Sequence, residues 1–203
     1  MGTAAERYHH GHLPDALRRA AVEVIGERGI SGFSLREAAR RAGVSHTASA
    51  HHFGDLRGLL TSVAAEGFAT LEQATVAAAA NHSDPINQLI AIGEVYVSLG
   101  RTNPGHCAVM FRPDVLDPDD SDLLQSGMRA YDVLERTVRL VIEDEGVDAD
   151  LDDVTRMCWS TMHGLAALEP KFSRISELRN SAPVPARELV RRFTAMIVRG
   201  LHP

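Results

Sequence analysis

Residues 45–53 read Ser-His-Thr-Ala-Ser-Ala-His-His-Phe, and this short stretch concentrates side chains that could do chemistry. His51 and His52 could ligate a metal. Adjacent residues on a helix point about 100° apart, however, and the only carboxylate four residues away is Asp55, so no metal site is expected. The other chemistry is surface recognition. Ser45, His46, Thr47, Ser49 and His51 form a row of short donors and acceptors on the outward face of one short helix. Such a row suits phosphates and base edges in a groove wide enough to admit a helix. Arg36, upstream, can reach a phosphate. Of the two adjacent histidines, one is expected to pack at the Phe53–Asp55 corner and the other to face outward. A second histidine cluster, Tyr8 to His12, reads as an arm leading into the first helix.

A third constellation lies near the C-terminus. Trp159 and His163 are one helical turn apart and share a face. Gly164, about 1 kcal/mol worse than Ala inside a helix, suggests that something approaches the backbone closely. Together with Met162, and with Tyr96, Cys107, Met110 and Phe111 from earlier segments, these residues could line a pocket for a small, largely apolar molecule, because methionines repack readily around such ligands. The alternative at each position is ordinary core, with His163 bonded to a carboxylate or carbonyl. Cys158 or His163 could be reactive, but no nucleophile, base and oxyanion donor stand at a recognisable spacing, so an enzyme is not expected. No cofactor is implied.

Helices must position all of these groups. Leu17, Ala20, Ala21, Val24 and Ile25 recur at helical spacing over 13–28, with Pro14 in the first turn and Gly29 after the end. Ser34 to Glu37, "SLRE", is a capping box that opens a second helix, and Gly43 stops it by taking a positive φ cheaply. Ser45 caps a third helix ending near Phe53, and Asp55 caps a fourth that runs to about Asn81. Leu35, Ala38, Ala39, Ala42, Val44 and Phe53 are the expected buried set, and Ala39 lets helices two and three cross closely.

Beyond these, Asp84-Pro85 and Asn103-Pro104 open helices of about 18 and 8 residues. Longer helices come at about 122–145, 150–169 and 185–201, after an acidic, proline-broken loop. Strand-like alternation is missing. The expected fold is all-α, with about nine helices: an N-terminal helix-turn-helix domain over 1–55 and a helical ligand-binding and dimerisation domain over 56–203.

Composition is compatible with this reading. The chain has 203 residues, net charge -6, and 44% hydrophobic and 24% charged residues. Within residues 1–60, eight arginines face six acids, so a mildly basic N-terminal segment (+2) precedes an acidic remainder (-8). That asymmetry fits a chain with one end turned to a polyanion. Cys107 and Cys158 are too few for a disulfide framework, and both are expected in the core. With no membrane-length apolar run and no signal-peptide pattern, a cytoplasmic location without membrane contact is expected. The helices at 150–169 and 185–201 carry apolar residues over more than one face. Two such helices from each of two copies would make a four-helix homodimer interface.

The stretch Tyr8 to Phe68 resembles the N-terminal DNA-binding domain of TetR-family transcriptional regulators, through the arm, "ERG", "SLREAARRAGVS", the His-Phe-Gly-Asp corner and the Leu-Leu pair at 59–60. Trp159 to Pro170, "WSTMHGLAALEP", is similar to the Trp…His-Gly motif of one class of TetR-type ligand-binding domains. The resemblance implies a homodimeric repressor of a double-stranded, palindromic operator, released by a small molecule. It places DNA contacts at Arg36, Ser45, Thr47, Ser49, His51 and His52. Two positions depart from the pattern: Ala50 stands where an aromatic is usual, and Leu56 where a lysine is usual. The competing expectation is a small-molecule-binding or sequestering protein with weakened DNA binding.

Overall fold

The computed structural model describes residues 13–202, apart from the side chains of His46, Ser49 and Pro170. The Tyr8–His12 arm lies outside the described residues. Among those described, nine α-helices succeed one another: α1 (Leu13–Arg28), α2 (Leu35–Ala42), α3 (His46–Phe53), α4 (Leu56–Ala79), α5 (Pro85–Thr102), α6 (Pro104–Met110), α7 (Ser121–Glu145), α8 (Leu151–Leu178) and α9 (Ala186–Gly200). One 3-10 turn, Ile30–Gly32, joins α1 to α2, and no strand occurs among the described residues. The all-α expectation holds.

Contacts divide the chain into two compact units, Met1–Ala69 with Arg101–Gly127, and Thr70–Gly100 with Met128–Pro203. In the first unit, Leu17, Val24 and Ile25 of α1, Ala38 and Ala39 of α2 and Leu59, Leu60 and Val63 of α4 form one buried cluster with Val109 of α6. Leu35, Ala42, Val44 and Phe53, expected inside, are half-buried and pack against its edge. α6 lies against α1 so closely that a Cβ at Gly105 would overlap the carbonyl oxygen of Val22. That contact holds α6 even though Asn103, at its N-cap, makes no side-chain cap bond.

In the second unit, one cluster joins Leu89 and Ile92 of α5 to Val138 and Val141 of α7, Val154 and Cys158 of α8 and Ile197 of α9. Another joins Val97, Met162, Leu165 and Val190. α8 corrects the sequence expectation: it does not stop at Glu169 but continues through Pro170 to Leu178. A proline inside a helix removes one backbone bond and costs about 3 kcal/mol. The continuation places Phe172 against the Met162–Val190 cluster, and that burial offsets the loss.

Candidate functional site

The helix-turn-helix is built by local bonds. Ser34 accepts the Glu37 N–H at 3.2 Å and opens α2. Gly43, with φ 69°, closes it in the left-handed region that a side chain would disfavour. The Val44 N–H then returns to the Ala39 carbonyl at 3.0 Å, turning the chain into α3. Ser45 caps α3 by accepting the Ala48 N–H at 3.1 Å, and Asp55 caps α4 by accepting the Gly58 N–H at 2.9 Å. Because Ser45 spends a lone pair as a cap, its hydroxyl hydrogen remains to donate outward.

Arg36, Ser45, Thr47, His51 and His52 are all exposed. His46 and Ser49 lie on the same helix, but their side chains fall outside the described set. The pair at 51 and 52 corrects the expectation that one ring packs at the corner. Both are exposed, with ring centroids 5.5 Å apart and planes at 80°. The corner is closed by backbone instead: the Gly54 N–H bonds the Ala50 carbonyl at 2.9 Å and the Asp55 N–H bonds the Phe53 carbonyl at 2.8 Å, so no imidazole is needed there.

Sequence reasoning missed how the arginines are committed. Arg40 grips both carboxylate oxygens of Glu37 at 2.8 Å, and Arg41 of α2 grips both oxygens of Glu27 of α1 at 2.8 and 2.9 Å. The Arg40 guanidinium holds the Glu37 carboxyl down to about 2, and Arg41 holds that of Glu27 below the usual carboxylate range. These pairs clamp the domain and neutralise much of its basic count. Among the described residues Arg36 has no ion-pair partner, so it is the α2 arginine whose charge is uncommitted. A run of Arg and Glu at three- and four-residue spacing was the available signal for this network.

The expected ligand residues fall into two groups. Tyr96, Trp159, Met162 and His163 belong to the second unit. The Trp159 indole N–H donates to the Tyr96 hydroxyl at 3.0 Å, and that hydroxyl stands 2.8 Å from His163 Nδ1. Indole is a donor only, so the phenol accepts from Trp159, while the direction of its bond to His163 follows the tautomer of the ring. One partner of His163 is thus a phenol, which the sequence alone did not suggest. Tyr131 of α7, which the sequence did not single out, packs edge-on against Trp159 with centroids 5.9 Å apart. Met162 is buried, in the apolar cluster against which Tyr96 packs. Gly164 corrects another expectation, since no described atom beyond its own helix backbone comes within 4 Å of where its Cβ would stand.

Cys107, Met110 and Phe111 belong to the first unit. Met110 is buried, and Phe111 meets Phe68 of α4 edge-on at 5.5 Å and 87°. Cys107 is half-buried rather than core; Cys158 is buried. Burial pushes both thiols up to about 11, so neither is a thiolate nucleophile near neutral pH.

An exposed polar row on the second helix of a helix-turn-helix, with one uncommitted arginine beside it, defines a DNA-binding helical protein. The family model "Bacterial regulatory proteins, tetR family" matches residues 17–63, and "Tetracyclin repressor-like, C-terminal domain" matches residues 89–197. The chain belongs to the TetR family: it is a DNA-binding transcriptional regulator with a C-terminal ligand-binding domain. Regulators of this family are generally non-enzymatic.

Solved structures share the fold. A protein of unknown function from Rhodococcus sp. RHA1 has a TM-score of 0.79 and 28% identity, covering 97% of this chain and 98% of that one. The TetR family transcriptional regulator PfmR from Thermus thermophilus has 0.67 and 21%, covering 92% and 99%. The fatty acid degradation regulator FadR from Bacillus halodurans has 0.67 and 15%, covering 93% and 96%. Among curated proteins none matches. No described helix is long and apolar enough to cross a membrane.

Proposed function

We propose that this regulator is a repressor that binds a palindromic operator as a homodimer in the cytoplasm and is released by a small, largely apolar molecule. Residues 1–55 act as the DNA-binding domain and 56–203 as the ligand-binding and dimerisation domain. The observation that carries the DNA half is the joint exposure of Arg36, Ser45, Thr47, His51 and His52, with Arg36 free of any carboxylate among the described residues. His46 and Ser49 complete the contacting row. Thr47 and the histidines meet base edges and phosphates, and Arg36 meets a phosphate.

The dimer reading rests on an unpartnered apolar stripe. Met157, Leu168 and Ile175 lie along one side of α8, at 42%, 42% and 47% exposure, and Met196 of α9 is 59% exposed. A second copy covering this stripe with its own would form the four-helix interface and present two α3 helices about 34 Å apart, one DNA turn. Gly164 borders the stripe, so the open space over it leaves room for the partner's helix. The effector is held by Tyr96, Trp159, Met162 and His163. It releases DNA by favouring the conformation with badly spaced α3 helices, and by no more than its differential affinity for that state.

Fluorescence anisotropy with DNA taken from immediately upstream of the gene, against scrambled competitor, tests the proposal. Nanomolar binding to the upstream DNA alone, weakened by Thr47→Ala, supports it. Binding that scrambled DNA matches at every site tried, together with retained small-molecule binding, overturns the repressor in favour of a sequestering protein. The exposure of Leu56, apolar at the start of α4 where a lysine would reach phosphate, is the observation behind that second reading.

A further inference from the structure

We propose that Arg57 is a positioning residue for DNA reading: its guanidinium straps the first turn of α4 to the loop after α6, and that turn is the abutment on which the C-terminal end of α3 rests. This rests on α3 being the helix that reads DNA, and goes beyond it by assigning what fixes that helix in place.

α3 has little packing to hold it. Among its described side chains Ala48, Ala50 and Phe53 are half-buried, Phe53 at the edge of the first unit's cluster, and none is buried. A helix of eight residues with so little apolar surface inside takes its orientation from its two ends. The N-terminal end is set by the turn through Gly43, where the Val44 N–H bonds the Ala39 carbonyl at 3.0 Å. The C-terminal end is set by α4. A Cβ at Gly58 would stand 2.0 Å from the Phe53 carbonyl oxygen, so the last peptide of α3 lies directly on the first turn of α4. Movement of that turn moves α3.

The turn is in its own right tied to the loop between α6 and α7. Arg57, the neighbour of Gly58, donates from Nη1 to the Leu116 carbonyl at 2.5 Å and from Nη2 to the Asp114 carbonyl at 3.3 Å. One turn further along α4, the Thr61 hydroxyl accepts the Asp117 N–H at 2.9 Å and donates to the Arg57 carbonyl at 2.8 Å. Backbone groups of Asp114, Leu116 and Asp117 thus end on two side chains of α4 that share a face. The loop is a firm base for them. Leu116 is buried in the same cluster as α1 and α4, and Arg112 grips both carboxylate oxygens of Asp114 at 2.8 and 2.7 Å.

Arg57 differs from Arg40 and Arg41 in what holds it. Its partners are two neutral carbonyls, and it has no ion-pair partner among the described residues. A planar fork that meets two carbonyls fixes direction as well as distance, which a lysine ammonium does not. Charge and geometry can therefore be separated at this position, since lysine keeps the charge and loses the fork.

Arg57→Lys and Arg57→Gln are compared with the wild type as full-length proteins. A duplex is first selected by the wild type from a randomised pool, and anisotropy is then measured on it and on a scrambled duplex at four salt concentrations. Both variants are expected to bind the selected duplex about tenfold more weakly, the scale of one mismatched base pair, to bind the scrambled duplex as the wild type does, and to keep its salt slope. Hydrogen exchange reads the same tie without DNA. The Gly54 and Asp55 amides, which close the end of α3, are expected to exchange faster in both variants while those of α1 keep their wild-type rates. A salt slope that falls by about 1 in Arg57→Gln but not in Arg57→Lys makes Arg57 a phosphate contact and overturns the positioning role. Unchanged affinity for the selected duplex overturns it too, as does faster exchange in α1 and α3 alike, which would reduce Arg57 to general stability. A pool from which the wild type enriches no sequence fails one step earlier, at DNA reading by α3, and removes the role of Arg57 with it.

Discussion

At the scale of single residues, the difference that matters for DNA binding is between arginines already spent and the one that is not. Arg40 and Arg41 lie close to Arg36 in sequence, yet each is held by a carboxylate at two points. A cation paired in this way releases few counterions from DNA when it approaches a phosphate, whereas an unpaired one contributes fully. Arg36→Ala is therefore expected to weaken operator and scrambled DNA alike, and to lower the slope of log affinity against log salt by about 1. Thr47→Ala, by contrast, should cost about 1–3 kcal/mol on the operator and little on scrambled DNA, because base-edge contacts carry sequence information and phosphate contacts do not. Anisotropy titrations at four salt concentrations separate the two. A slope unchanged by Arg36→Ala removes Arg36 from the phosphate contacts.

At the scale of elements, α1, α2, α4 and α6 are tied by two kinds of contact, and each has its own signature. Between α1 and α2 an ionic tie adds to the shared apolar cluster: Arg41 grips Glu27, and Arg28 of α1 stands 3.7 Å from Glu37. Glu37 accepts Arg40 and neighbours Arg28 and Arg41, which hold its carboxyl at about 2, below its ordinary value. A depressed carboxyl contributes its stability above the ordinary value and loses it as pH falls toward the folded one. Glu37→Gln should thus lower Tm at pH 7, and the difference from wild type should shrink as pH falls from the ordinary carboxylate range toward about 2. Thermal unfolding by circular dichroism at several pH values checks this; a difference independent of pH would mean that Glu37 acts through packing alone. The tie between α1 and α6 is steric. Gly105→Val must push α6 off the Val22 carbonyl, which places it with overpacking changes of about 1–3 kcal/mol. Chemical denaturation measures the loss, and an unchanged midpoint would show that α6 can slide without cost.

The same elements show what the sequence could carry. α1 was legible to the residue, because Pro14, five apolar residues at helical spacing and Gly29 all agree. The caps at Ser34, Ser45 and Asp55 were legible because a cap is a local bond between residues three apart. α8 was not, since a proline normally ends a helix and only the distant packing of Phe172 reveals why this one continues. The Tyr96–Trp159–His163 cluster was half legible. One helical turn gave Trp159 and His163, but their shared phenol comes from 63 residues away.

At the scale of the whole molecule, the proposed repressor performs one function twice, since a palindromic operator is read by two recognition helices joined through a common interface. The second unit leaves apolar side chains of α8 and α9 in solvent, among them Leu168 and Met196, which a chain working alone would have no reason to expose together. A charge placed among them opposes burial in a dimer while leaving the monomer's core untouched. Leu168→Glu, and Met196→Glu as an independent substitution, should each shift the protein from dimer to monomer in sedimentation equilibrium at micromolar concentration, with helical content unchanged. Operator affinity should then fall by about 100-fold or more, because the second half-site loses the effective concentration that linkage provides. Binding to scrambled DNA should fall far less, since each α3 keeps its own contacts. If both variants remain dimeric, the copies meet on a different surface. If they become monomeric and bind the operator as tightly as before, a single copy of α3 suffices to read it.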